Sequence, residues 1–332
     1  MDFEPKEAVN RFEKSLILLG KNVEFSTFSI EPSTFHIQEF FEKMGLISVC
    51  SLEENTYPQL IKTLYTKMAI TPRSDSISCL IKNVRIIVIK ALIREILRLV
   101  PCDTQVFVHK THPILEGYNP SDARRCATGK DFENITKISA NQLTLLCKVL
   151  QNIIANIILP RKGHRDEVNY FDLFILDSFL IGRRLDFPTI ALGLMKLIHT
   201  SRYSKALPYG MLLTKIFKHF NVSLEGEAVI KPRSTGTINI QTLKRMKIFK
   251  THGQWVAYTK GFDPASSPST LPFEDEEEVP LLLHPPPIST SSSSSQGFTF
   301  TKDQYNLLTE RLDSLTTSVD GLSGVLQNVQ SQ

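Results

Sequence analysis

The sequence predicts a mainly α protein: a single helical globular domain with one small β-hairpin, a disordered linker and a short C-terminal coiled coil. Three observations carry that expectation. Apolar residues recur at helical spacing up to about residue 250. A stretch rich in Pro, Ser and acid follows it, and a heptad repeat occupies the last segment.

In chain order, the periodicity predicts helices over 6–20, 35–45, 57–68, 89–99, 140–158, 167–181, 188–199 and 209–220. The run from Val168 to Ile181 is apolar on almost every side, as expected of a helix in the middle of a core. Gly182 stops it, and Pro188 opens the next helix at a position that tolerates proline. Pro208 begins a third, with Leu212, Leu213, Ile216, Phe217 and Phe220 on one stripe and Lys215, Lys218 and His219 behind it. Ser76 to Ile81 and Val84 to Ile89 are rich in Ile and Val and meet at Lys82-Asn83, which fits a short hairpin. Ile86 to Leu97 also fits a continuous helix. Residues 101–139 hold Pro101, Pro113, Gly117, Pro120 and Gly129, and read as loop with a short helix near Ser121 to Cys126.

These readings divide the chain into an acidic N-terminal helix over 1–24, a helical domain over 25–250, a linker over 251–300 and a coiled coil over 301–332. The linker holds the acid run Glu274 to Glu278, Pro285 to Pro287 and Ser289 to Ser295. Such a segment buries too little apolar surface to offset its ordering entropy. Beyond it, Tyr305, Leu308, Leu312, Leu315, Val319, Leu322, Leu326 and Val329 alternate at spacings of three and four, an a/d seam that implies self-association. Gly321 and Gly324 weaken that helix by about 1 kcal/mol each relative to Ala. The alternative is that the stripe folds back on the protein's own surface.

Charge is segregated more strongly than the net +4 suggests. Residues 1–60 carry ten acids against five cations, 187–262 carry twelve cations against two acids, and 263–332 carry ten acids against two cations. No apolar run reaches the ~18 residues of a membrane helix. The start of the chain has no apolar signal region. The expectation is therefore a soluble, intracellular protein, nuclear or cytoplasmic, with Lys244-Arg245-Met246-Lys247 as a weak nuclear-import signal.

Searches for catalytic or ligand-binding chemistry give little. The five cysteines (Cys50, Cys79, Cys102, Cys126 and Cys147) show no CxxC pairing. Only His109 and His112 stand at short spacing near Cys102 and Cys126, too sparse for a zinc site. Asp166, Glu167, Asp172 and Asp177 with His164 invite a metal-nuclease reading, but Asp172 and Asp177 point some 140° apart on one helix at ~100° per residue. They are expected to pair with Arg183, Arg184 or another core-rim cation, while Asp166 and Glu167 are expected to mark a helix start. Ala127-Thr128-Gly129-Lys130 fails as a phosphate loop because position 124 is Arg and position 131 is Asp. No enzyme activity, cofactor, metal or small-molecule substrate is expected.

The basic middle is the main binding candidate. Lys231, Arg233, Lys244, Arg245, Lys247 and Lys250 occur with no acid among them, interleaved with Phe249, Trp255 and Tyr258. Together with Lys215 and Lys218, cations beside stacking rings are what single-stranded nucleic acid requires. The plainer alternatives are a solvated basic face and a Trp255 that anchors a terminal strand.

The blocks KGHRDEVNYFDLFILDSFLIGRRLDFPTI and ALPYGMLLTKIFKHFNVSLEGE resemble a plant family named putative plant transposon protein domain. Upstream, YPQLIKTLYTKMAI and SISCLIKNVRIIVIKALIREILRL resemble that family's earlier segment, the likeness running from about Ile30 to Glu227. The resemblance implies a transposon-derived plant protein and carries no catalytic residues with it. The combined expectation is a non-catalytic, self-associating protein that binds nucleic acid through its basic segment. A protein–protein adaptor without nucleic-acid binding and a decayed element fragment stand as alternatives.

Overall fold

Helix signals and apolar alternation set where the longer elements begin and end in the computed structural model. It describes residues 11–28, 36–70, 75–102, 104, 106, 113–130, 138–201, 206–232, 236–251 and 254–257. The heptad segment, the linker beyond residue 257, His109, His112, Arg233 and Tyr258 lie outside those residues.

The chain enters through β1 (Leu16–Ile17) and β2 (Asn22–Val23). It continues through α1 (Ile37–Met44), α2 (Ile47–Cys50) and α3 (Pro58–Lys67) to β3 (Ala69–Ile70). The hairpin β4 (Ser76–Ile81) and β5 (Val84–Ile89) leads into α4 (Lys90–Leu97) and, later, α5 (Pro120–Thr128). After β6 (Ile138–Ser139), α6 (Leu145–Ile153) runs on as a π-helical turn over Ile154–Ile158. Then come β7 (Glu167–Val168), α7 (Tyr170–Ile181), α8 (Phe187–Thr200), β8 (Ala206–Leu207) and α9 (Gly210–His219). The described chain closes with β9 (Thr237–Ile238), α10 (Ile240–Arg245), β10 (Ile248–Thr251) and β11 (Gln254–Ala257).

The β4–β5 hairpin falls on the residues expected of it, with Ser76 opposite Ile89 and Ile81 opposite Val84. Lys82 and Asn83 both have positive φ (45° and 62°), the two-residue turn whose twist matches that of the strands. Ile77, Cys79, Ile81, Ile86 and Val88 face the core. The fold is helix-rich, but the expectation of a single hairpin is too simple. Among the described residues there is one three-stranded sheet, β3-β4-β5, and four two-stranded ladders. Two-residue strands such as β1 and β8 have no length in which alternation could show, so periodicity cannot find them.

Two of those ladders are parallel and tie distant parts of the chain together. β1 pairs with β8, Leu16 opposite Ala206, and β2 pairs with β9, Asn22 opposite Thr237. The helix expected over 6–20 therefore gives way to strand at Leu16–Ile17, and residues 11–23 belong to the domain rather than standing before it. Phe12 is fully buried, its ring 6.0 Å from Tyr65 and stacked on His199. Arg11 donates from both terminal nitrogens to the carbonyls of Ser201 and His199, each at 2.7 Å, satisfying carbonyls left open at the end of α8. At the other end, Thr251 and Gln254–Ala257, assigned above to the linker, contribute to the β10–β11 ladder. Ile248 and Trp255 are buried in the same core, so the globular domain extends past residue 250.

The central helix is α7. From Phe171 to Phe179 every residue is buried, as the all-round apolar pattern requires. Asn169 caps it, accepting from the Phe171 and Asp172 amides at 2.9 and 2.8 Å, while Asp172 accepts from the Asn169 amide at 3.0 Å. Asp166 and Glu167 thus precede the helix rather than starting it, Glu167 lying in β7. Gly182, at φ 71°, ends the helix in the left-handed conformation that glycine adopts without a Cβ penalty. Asp186 then caps α8 through Thr189.

Candidate nucleic-acid interface

Of the acids that an enzyme reading would use, Asp172 and Asp177 are built into the core, while Asp166 is exposed and Glu167 half-buried. Asp172 is completely buried and meets Arg161 in a two-pronged contact, 2.7 Å from each terminal nitrogen. Gln151 donates a third hydrogen bond to it at 3.1 Å. Asp177 pairs with Arg183 at 3.3 Å, and Asp186 pairs with Arg94 at 2.9 Å. Pairing with core-rim arginines is what the sequence implies for Asp172 and Asp177, but Arg184 takes another task, donating to the Lys43 carbonyl at 3.2 Å. Each carboxylate is matched by a guanidinium, as burial of charge demands. Among the described residues no three His, Cys, Asp or Glu side chains converge as a metal site would need.

Arg161 does more than neutralise Asp172. Its Nε donates to the His164 carbonyl at 3.1 Å and a terminal nitrogen to the Glu167 carbonyl at 2.9 Å. Arg165 in turn donates from Nε to the Arg161 carbonyl at 2.8 Å. The loop 160–167 is therefore folded around one buried ion pair, with exposed Lys162 and Arg165 on its outer side.

The cations named from sequence do not form one stripe. Lys244 and Arg245 are exposed in the last turn of α10, where cations favour the helix dipole. Lys247 follows at φ 59°, and Lys250 lies exposed on β10. Lys231 is exposed on the preceding connection. Lys218 of α9 is held by Glu54 at 2.8 Å and Lys215 is half-buried, so α9 contributes less than its basic back suggests. Trp255 corrects the stacking argument: at 8 % exposure its ring is part of the core, opposite Lys250 in the ladder, and has no face to offer a base. The anchoring role is the one the structure gives it.

Three cations that no basic run announces complete the neighbourhood. Lys21 lines a small apolar cleft of about 40 Å³ beside Pro160, Asn156 and Met211. Burial lowers its ammonium pKa first, and Arg165 and Arg245 lower it further. Lys148, on α6, is likewise lowered by burial and then by Lys247, while donating to the Asn141 side chain at 3.2 Å. Lys21, Lys148 and Arg165 are far apart in sequence, so only the fold could reveal them.

The arrangement defines a class before it defines a family: a helix-rich domain whose buried acids, Asp172, Asp177 and Asp186, are each paired with an arginine. The chain belongs to the family described as putative plant retrotransposon-related domain, whose model matches residues 42–223. No curated protein and no solved structure matches the chain. Lys148 and Arg165 fall inside the matched range; Lys21 and the α10–β10 cations fall outside it. Among the described residues no helix is long and apolar enough to cross a membrane.

Proposed function

We propose that this retrotransposon-related plant protein is non-catalytic, grips nucleic acid by its phosphates and self-associates through Tyr305, Leu308, Leu312, Leu315, Val319, Leu322, Leu326 and Val329. The observation that supports binding is the exposed corner between α10 and β10, where Lys244, Arg245 and Lys247 follow one another within a segment, 231–260, that contains no acid. Cations so placed displace condensed counterions from a phosphate backbone. With Trp255 buried, phosphate contact carries the reading and stacking on that ring does not. Self-association would multiply a weak basic site by avidity, roughly 10²–10⁴-fold when geometry allows.

Fluorescence anisotropy with labelled single-stranded and duplex oligonucleotides between ~50 and ~200 mM salt tests this. Each phosphate contact contributes a log–log salt slope of about −0.7 on single strands and −0.9 on duplex. Binding whose slope shrinks when Lys244, Arg245, Lys247 and Lys250 become Ala supports the reading; absence of binding at ~50 mM overturns it. Loss of the oligomer in a Leu308→Asp/Leu315→Asp variant, read by sedimentation, tests the second half.

A second reading, a protein–protein adaptor, is favoured by one surface. Leu80, Ile87 and Ile89 stand exposed on the outer face of β4–β5, Leu80 at 52 %. The adaptor reading becomes the leading one if the oligonucleotides do not bind.

A further inference from the structure

The basic stretch after residue 231 is only one wall of a larger electropositive surface. β2 lies along β9, with the Glu24 amide donating to the Ile238 carbonyl at 3.1 Å, and β9 runs directly into α10. Lys21, which precedes β2, is thereby set beside the segment that carries Arg245. On its other side Lys21 shares the apolar cleft with Pro160, the residue that starts the loop bearing Arg165. β7 returns that loop to β6, where the Ala140 amide donates to the Asp166 carbonyl at 2.7 Å. Asn141, next along, accepts from Lys148. Three chain segments and one helix thus converge, each delivering a cation.

We infer that Lys21, Lys148 and Arg165 join Arg245 and Lys247 in one discontinuous surface that contacts successive phosphates of a nucleic-acid strand. The inference rests on the nucleic-acid reading above and extends it to residues outside the basic segment. Gathering like charges costs free energy in the unliganded protein, and a polyanion laid across them removes that cost. Beyond the larger effect of burial, Arg165 and Arg245 act on Lys21, and Lys247 acts on Lys148, each in the direction that disfavours the charged ammonium. Phosphates placed between them would favour it. Arg161 is excluded from the contact set because Asp172 occupies its guanidinium.

The full chain is assayed by anisotropy with fluorescein-labelled oligo(dT) and oligo(U) across the same salt range. Three contacts account for a slope change of about 2 and, extrapolated from 1 M to 0.1 M salt, for roughly a hundredfold in affinity. The Lys21→Ala/Lys148→Ala/Arg165→Ala variant is expected to show both losses. Arg85→Ala, which removes an exposed cation from β5, is expected to leave the slope unchanged. Thermal unfolding checks each variant's fold, and the charge-preserving Lys21→Arg/Lys148→Arg/Arg165→Lys chain is expected to recover most of the affinity. If wild-type protein binds and loses slope with Arg245→Ala/Lys247→Ala but not with the triple variant, contact is confined to the linear segment and the inference is wrong. If wild-type protein does not bind either probe, the nucleic-acid reading fails and takes this surface with it.

Discussion

Replacing Arg161 with Met would strip a fully buried carboxylate of its counter-charge. Asp172 has no solvent exposure, and two of its four hydrogen bonds come from the Arg161 terminal nitrogens. The Gln151 and Asn169 donors would remain, but both are neutral. Removing one partner of a buried ion pair costs about 3–5 kcal/mol, because the surviving charge is left uncompensated. For a domain of this size each kcal/mol lowers Tm by roughly 2–4 °C, so the expected fall is about 6–20 °C by scanning calorimetry. The double variant Arg161→Met/Asp172→Asn discriminates mechanism from mere packing loss. A neutral amide of nearly the same volume still accepts from the Asn169 amide, so it should recover a good part of the loss. A single variant that costs under ~1 kcal/mol, or a double variant no more stable than the single, would refute the account of Arg161 as the keystone of loop 160–167.

Three further expectations follow from burial. His199 donates from Nδ1 to the Tyr65 carbonyl at 2.9 Å, and its burial holds its pKa below 6.5. The unfolded chain then takes up the proton more readily, so stability should be full above about pH 6.5 and decline as pH falls below it, a slope that His199→Gln should flatten in pH-dependent melts. Burial pushes the thiol pKa of Cys79 up to about 11, that of Cys147 up to about 12 and that of Cys50 higher still. A thiol reagent near pH 8 should therefore reach only partly exposed Cys102 and Cys126 until the protein unfolds. Trp255→Phe should leave oligonucleotide affinity unchanged, whereas Trp255→Ala should cost about 3–5 kcal/mol in stability, distinguishing an anchor from a stacking platform.

The long helices were legible because their patterns were local. Pro58, Pro120 and Pro188 sit in the first turn of their helices, and Gly45, Gly129 and Gly182 cap helix ends, all within a few residues of the stripes they bound. The β4–β5 hairpin was legible for the same reason. What escaped was non-local. Leu16–Ile17 becomes strand only because Ala206–Leu207 lies beside it, a pairing that overrides the helical spacing around it. The candidate surface divides in the same way: the run Lys244 to Lys247 could be read directly, while Lys21, Lys148 and Arg165 are single cations in unremarkable contexts. Trp255 misled because composition alone does not distinguish a ring that meets solvent from one that seals a core.

The two parallel ladders also set an order of events during synthesis. Arg11 finds its partner carbonyl 190 residues downstream. At ~5–20 residues per second, the first strands wait roughly 10–40 s on the ribosome before β8 and β9 emerge to pair with them. Through that interval the edges of β1 and β2 lack their partner strands, and Phe12 lacks the His199 ring that stacks on it. Loop closure over such a span is slow and aggregation-exposed, so yield from expression should depend on temperature and chaperone supply more than on the stability of the finished domain. A fragment cut to 42–223 would lack β1, β2 and β9 together and leave β8 permanently without its partner strand.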